Sequence, residues 1–328
     1  MDKKKIIVNG YLYPFISRET LDDSLPFLTF ISTFSYGLDQ DANLIPLDDQ
    51  KVIQEAQNQG VGSLMVLTSY SDERGFDNTH AIQLFNNETL QDRYFDEVLE
   101  NLRSKNMRGV DFDFEYIGAQ NRDAYTNFVA RARERLNAEN YLVTVALAPK
   151  ISTDQAGELY EGHDYQKMGL AADFLLLMTY EWGYAYGPPM AIAPINQVRA
   201  VLDYAVTQIE PQKILMGIPN YGYDWTLPFK EGARAKKVSN VEAIALAAKT
   251  GSQIQFCESS MSPYFRYTDE AGHQHEVWFE DKRSYLAKLN LIYEYDLAGV
   301  GIWNVMDYDP NLESALFDLF HIYKDPLM

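Results

Sequence analysis

A chain of 328 residues, 46% of them apolar or aromatic, can bury one large barrel core or the cores of two ordinary domains. The formal net charge of -19, from 47 acidic against 28 basic side chains, argues against partners gripped through phosphates or an anionic bilayer, so neither nucleic acid nor a membrane surface is expected. Cys257 is the only cysteine, which rules out an intrachain disulfide and a thiolate metal cluster.

Met1 to Ile7 carries three lysines but lacks the apolar stretch and small-residue cleavage site of a secretory leader, and no apolar run in the chain reaches membrane-spanning length. Strand-like sequence begins at once. Eight β-rich runs follow, at Lys5–Tyr13, Phe27–Tyr36, Val61–Tyr70, Gly109–Tyr116, Leu142–Pro149, Phe174–Tyr180, Ile214–Tyr221 and Gly299–Trp303. Apolar residues spaced near 3.6 predict helices between them at Asp48–Asn58, Leu90–Ser104, Arg122–Leu136, Ile195–Ile209 and Asp281–Tyr295. This alternation is that of βα units, and eight of them predict an α/β fold, a closed (β/α)8 TIM barrel.

One interval breaks the rhythm. Asp224 to Lys282 is too long for a single connection and holds short strand-like runs at Gln253–Phe256, Tyr264–Tyr267 and Glu276–Phe279. A small α+β insertion subdomain over 224–282, after the seventh strand and beside the barrel mouth, is therefore expected within one catalytic barrel over 1–328. No internal repeat, low-complexity tract or proline-rich linker marks a separate binding module.

The most informative stretch is Gly109-Val110-Asp111-Phe112-Asp113-Phe114-Glu115-Tyr116, three carboxylates at spacing two in an otherwise apolar run. In a strand that spacing means one face, so the acids point into the barrel while Val110, Phe112 and Phe114 face the helices. Acids enclosed together respond by taking up protons. Glu115 lies nearest the C-terminal end of the strand, where barrel enzymes carry their chemistry. Asp113 beside it should raise its proton affinity, which makes Glu115 a candidate general acid.

GVDFDFEY resembles the fourth-strand signature of glycoside hydrolase family 18, which ends in the catalytic glutamate. The resemblance implies Glu115 as acid/base, Asp113 orienting the substrate's 2-acetamido group and Asp111 sharing protons deeper in the barrel. The acetamido oxygen, rather than a second carboxylate, would attack the anomeric carbon. The sixth-strand segment from Phe174 to Trp182 is similar to the family's methionine-tyrosine-acid segment, which implies Tyr180 as donor to the acetamido carbonyl, Met178 in the sugar pocket and Glu181 beside it. Trp303 stands where the family places the aromatic floor of the cleavage subsite, and Tyr221 and Tyr11 are expected to border the same pocket.

Within the family, FSYGLDQDANLIPLDD, MTYEWGY, GIPNYGYDWTLPF, KVSNVEAIALA and HEVWFEDKRSYLAKLNLIYEYDLAGVGIWN resemble the branch of bacterial spore cortex-lytic N-acetylglucosaminidases. That implies an N-acetylglucosamine-containing polysaccharide as partner, peptidoglycan or chitin, no cofactor, a monomer, and work in the spore envelope or outside the cell. Three positions depart from the wider family. Arg108 replaces the first acid, Glu181 replaces an aspartate, and Val66-Leu67-Thr68-Ser69-Tyr70 stands in place of Ser-x-Gly-Gly on the third strand. Two other functions fit the same resemblance: a chitinase, and a sugar-binding protein without activity, although the latter relatives usually lack the glutamate found here as Glu115. A metal hydrolase does not fit, because His80, His163, His273, His275 and His321 show no paired ligand spacing on a strand or helix.

Overall fold

A computed structural model describes residues 3–71 and 74–324. Eight parallel strands close into a barrel: β1 (Lys4–Leu12), β2 (Phe30–Leu38), β3 (Gly62–Thr68), β4 (Gly109–Asp113), β5 (Leu142–Leu147), β6 (Phe174–Leu177), β7 (Ile214–Pro219) and β8 (Gly299–Trp303). Closure is by β8 on β1, with Ile7 opposite Gly299, while β1 also pairs with β2, Asn9 opposite Phe30.

Period-two alternation divides the apolar residues into two cores. Val66, Ala146, Leu176 and Leu215 fill the barrel interior beneath Tyr11 and Phe34. On the outer face Val110 and Phe112 are fully buried under the helix layer, Phe112 meeting the ring of Phe128 at 5.1 Å between centroids. The helices that press on this face are Gln50–Asn58, Glu88–Lys105, Arg122–Asn137, Ile195–Ala205 and Lys282–Glu294. Glu88–Lys105 illustrates how local chemistry sets their limits. The Asn87 side chain accepts the Leu90 N–H at its start, Arg103 and Lys105 lie in its last turn, and Asn106 closes it in the left-handed conformation.

Helices at Arg18–Ser24, Thr79–Phe85, Tyr165–Ala171 and Pro310–Leu319 complete the layer. The first three have seven residues each, two turns, too few for their periodicity to stand out in the sequence. A last strand, Phe320–Ile322, pairs with the start of β1 outside the barrel ladder.

The segment between β7 and β8 forms its own antiparallel sheet, with strands ordered Lys236–Val238, Gly222–Leu227, Gln274–Trp278, Ser262–Thr268 and Gln255–Cys257. Its first strand starts at Gly222, two residues ahead of the predicted boundary. The helix Asn240–Thr250 packs on this sheet and begins in a reciprocal capping box between Ser239 and Glu242. Asn240 bolts the insertion to the barrel: its side-chain amide donates to Tyr285 Oη at 2.8 Å and Asp309 Oδ2 at 3.1 Å, and its carbonyl accepts the Glu280 N–H at 2.9 Å. Lys288 and Glu280, both buried, form an ion pair at 2.7 Å beside this joint.

β4 is shorter than the sequence pattern implies. Its ladder stops at Asp113, and Tyr116 adopts a left-handed backbone with φ 56. Glu115 therefore sits on the turn that leaves the barrel, above the last strand hydrogen bond.

Candidate active site

The acids of β4 form a graded column. Asp111, at the bottom, is 1% exposed and fully engaged: Tyr11 Oη donates to Oδ2 at 2.6 Å and the Thr144 hydroxyl donates to Oδ1. Burial raises its proton affinity, and the two hydroxyl donors pull it back. Asp113, 6% exposed, has one oxygen, Oδ1, without a hydrogen-bond partner among the described residues. Its proton affinity is held well above the carboxylate range by burial first, then by Glu115 and Asp111. Glu115 is pushed up to about 7, again mainly by burial, with the charge of Glu181 adding to it. The sequence pointed to Asp113 as a charge acting on Glu115; these two carboxyls act on each other, and Glu181 adds a further push on Glu115.

The turn that carries Glu115 is clamped through its backbone. Asn78 Nδ2 donates to the carbonyls of Glu115 at 2.7 Å and Tyr116 at 3.0 Å. His163, fully buried, accepts the Ala148 N–H on Nδ1 at 2.9 Å, which leaves the Nε2 proton for the Phe114 carbonyl at 3.0 Å. Burial pushes this imidazole down to about 4, so it holds the ends of β4 and β5 together as a neutral group. No sequence signal assigned His163 this place, because both partners are backbone groups distant along the chain.

Tyr180 and Glu181 follow β6. Gly217 on β7 makes room for them, since a Cβ there would lie 2.5 Å from the Leu177 carbonyl and 2.8 Å from the Tyr180 ring. The Tyr180 hydroxyl is held well above its ordinary pKa by burial and then by Asp113, Glu115 and Glu181, so it stays a proton-bearing donor. Glu181 takes a left-handed backbone and accepts from Tyr223 Oη at 3.0 Å and from the Tyr221 hydroxyl on the same oxygen, Oε1. Burial raises its proton affinity, and the two tyrosines and Lys237 work against that rise. Lys237 Nζ also lies over the Tyr221 ring, 4.6 Å from its centroid.

These side chains meet at a cleft of about 620 Å³ over the C-terminal ends of the strands. Asp113, Glu115, Met178, Tyr180, Glu181 and Trp303 line it, and Tyr11 reaches its floor while holding Asp111. Tyr221 does not line the cleft. It is 2% exposed and stands behind Glu181, because its hydroxyl turns to that carboxylate.

Beyond Trp303, the sequence left a line of rings along the cleft unassigned. Trp303 meets Phe34 at 5.1 Å, Phe34 meets Tyr70 at 6.0 Å, Tyr70 meets Phe76 at 5.3 Å and Phe76 meets Tyr116 at 5.9 Å. Several of these aromatics fall at or just past strand ends, a placement that could have flagged them. Among the described residues no three His, Cys, Asp or Glu side chains gather as a metal site, and no helix is long and apolar enough to cross a membrane.

Residues 17–309 match the sequence profile of glycosyl hydrolases family 18. A cortical fragment-lytic enzyme of Bacillus subtilis (strain 168) is 39% identical over 331 residues, covering 98% of this chain and 76% of that protein. The crystal structure of the Bacillus cereus spore cortex-lytic enzyme SleL superposes with a TM-score of 0.94 at 36% identity, covering 99% of this chain and 76% of that one. At 22% identity and a TM-score of 0.86, a chitinase of Chromobacterium violaceum shares the fold. With a profile match across most of its length and a 39%-identical relative aligned over nearly all of it, the chain belongs to glycosyl hydrolases family 18.

Proposed function

We propose that this chain hydrolyses β-linked N-acetylglucosamine glycosides in spore-cortex peptidoglycan by substrate-assisted, retaining catalysis. One observation carries the proposal: Glu115 stands at the cleft with a proton affinity of about 7, above the unpaired oxygen of Asp113 and within the same wall as Tyr180. A carboxylic acid that keeps its proton near neutrality is suited to deliver it to a leaving oxygen.

Glu115 gives its proton to the glycosidic oxygen as the bond from that oxygen to the anomeric carbon breaks. The carbonyl oxygen of the sugar's own 2-acetamido group forms the new bond to that carbon, giving a cyclic oxazolinium. Asp113 accepts the acetamido N–H, and the Tyr180 hydroxyl donates to the acetamido oxygen, holding it in line and stabilising the charge that develops. Water then attacks the anomeric carbon from the side of the departed group and passes a proton to the Glu115 carboxylate, and the ring opens with retained configuration. Trp303 supplies the aromatic floor for the reacting sugar.

The cortical fragment-lytic names of the relatives favour cortex glycan, with action in the spore envelope. Mass-spectrometric product analysis after separate incubation with cortex fragments, vegetative peptidoglycan and chitin oligosaccharides tests this. Cleavage of cortex alone, leaving reducing N-acetylglucosamine ends, is the expected result. Cleavage of chitin alone would move the chain to the chitinases, and no cleavage of any of the three would contradict an enzymatic role.

A further inference from the structure

The pairing that aligns β4 runs out before it reaches Glu115. On one side the register with β3 ends at Thr68 opposite Asp113, and on the other the register with β5 ends at Val145 opposite Phe112. Successive carbonyls of an extended chain point to opposite sides, so those of Phe114 and Glu115 turn toward β5 and β3 respectively. Each meets a side chain where a strand would have offered an N–H. His163 Nε2 donates to the Phe114 carbonyl at 3.0 Å, and Asn78 Nδ2 donates to the Glu115 carbonyl at 2.7 Å. Asn78 also holds the Tyr116 carbonyl, at 3.0 Å, where the backbone turns left-handed, a conformation that a tyrosine keeps only when its surroundings impose it.

Asn78 serves this turn rather than its own helix. It occupies the N-cap position of Thr79–Phe85, where an asparagine ordinarily accepts an N–H of the first turn, yet its side chain makes no such bond. The Thr79 N–H goes to Asp77 Oδ1 instead, at 3.2 Å. Asn78 Oδ1 accepts the Ser69 hydroxyl at 2.6 Å, which fixes the orientation of the amide and turns its N–H groups to the two carbonyls. Ser69 directly follows β3, so the barrel frame reaches the turn through two side chains. We infer that Asn78, oriented by Ser69, is the positioning residue that sets where the Glu115 carboxyl stands over the scissile bond, its amide replacing the ladder partner that β3 no longer supplies. The inference rests on the glycosidase reading above and adds to it the group that holds the proton donor in place.

Asn78→Ala removes both donated bonds and leaves the Asp77 cap of the helix intact. On a natural oligosaccharide kcat should fall by about thirtyfold with KM nearly constant, since a shift of about an ångström at a reacting group is enough for such a loss. A freed turn brings Glu115 nearer to solvent and lessens the burial that raises its proton affinity, so the alkaline limb of kcat/KM should move to lower pH. Ser69→Ala leaves the amide present but free to rotate and should lower kcat by about threefold; Ser69→Thr, which keeps the hydroxyl, should recover most of that loss. An alkaline limb and a kcat both unchanged in Asn78→Ala, or a loss confined to KM, would overturn the inference. Should Asn78→Ala fail to fold, the Ser69 pair carries the same comparison, and equal kcat in Ser69→Ala and the unaltered protein would overturn it. A carbon-13 NMR titration of the Glu115 carboxyl, its signal identified by its loss in Glu115→Gln, reads the position of the group without turnover. A lower midpoint in Asn78→Ala is expected, and an equal midpoint would count against Asn78 even if the unaltered protein cleaved nothing, the outcome that by itself sinks only the glycosidase reading.

Discussion

The acid column on β4 and the acid at the end of β6 differ in both depth and wiring: Asp111 and Asp113 are buried, whereas Glu181 keeps much of its surface exposed. Asp113 and Glu115 have burial and negative neighbours pushing toward the protonated form, and no donor that pulls them back. Glu181 has two tyrosine hydroxyls and the ammonium of Lys237 opposing the rise that burial gives its proton affinity. The difference teaches how one cleft sets its carboxylates apart: burial and negative neighbours raise proton affinity in the column, while exposure and hydrogen-bond donors work against that rise at Glu181. The charge on Glu181 then helps keep the proton on Glu115.

Breaking the column should have the largest effect. Glu115→Gln removes the transferable proton, and kcat on a natural glycan should fall by about a thousandfold or more while binding of an uncleaved oligosaccharide, measured by calorimetry, changes little. Asp113→Asn, which keeps a carbonyl acceptor but loses the carboxylate charge that steadies the acetamido group as it closes on the anomeric carbon, should lower kcat by about a hundredfold. Tyr180→Phe removes a donor to developing charge and should lower kcat by about tenfold to a hundredfold with KM nearly constant; a change confined to KM would contradict its role.

Disturbing the β6 acid should give a smaller effect of a different kind. The active enzyme carries the proton on Glu115, whose affinity is raised to about 7, so kcat/KM should fall as pH rises through about 7. Glu181→Gln removes one of the influences raising that affinity, and the alkaline limb should move to lower pH. Tyr221→Phe takes away one donor to Glu181, leaving that carboxylate less fully ionised, and should move the limb in the same direction by less. A limb that stays fixed in both variants would separate the two regions and sink the idea that one tunes the other.

The column was legible because a strand's period of two puts Asp111, Asp113 and Glu115 on one face, a relation contained within five residues. The eight strands were legible for the same local reason. What brings Glu181 under control was not, since Tyr221, Tyr223 and Lys237 reach it from just past β7 and from the insertion, between 40 and 56 positions on. The His163 clamp and the ring line from Trp303 to Tyr116 are likewise products of strand ends converging in space. Local pattern also placed Glu115 inside a strand, whereas the ladder stops at Asp113 and the left-handed Tyr116 turns the chain, which lifts the acid to the cleft.

The most direct test of Glu115 as proton donor compares Glu115→Gln on two substrates: a natural oligosaccharide, and an N-acetylglucosaminide whose nitrophenol leaving group departs without being protonated. The account predicts that the variant fails on the first yet still releases a first-turnover burst of nitrophenolate from the second at a rate near that of the unaltered protein. Loss of the burst to the same extent as turnover of the natural substrate would contradict it, and Glu115 would then be acting on something other than the leaving oxygen.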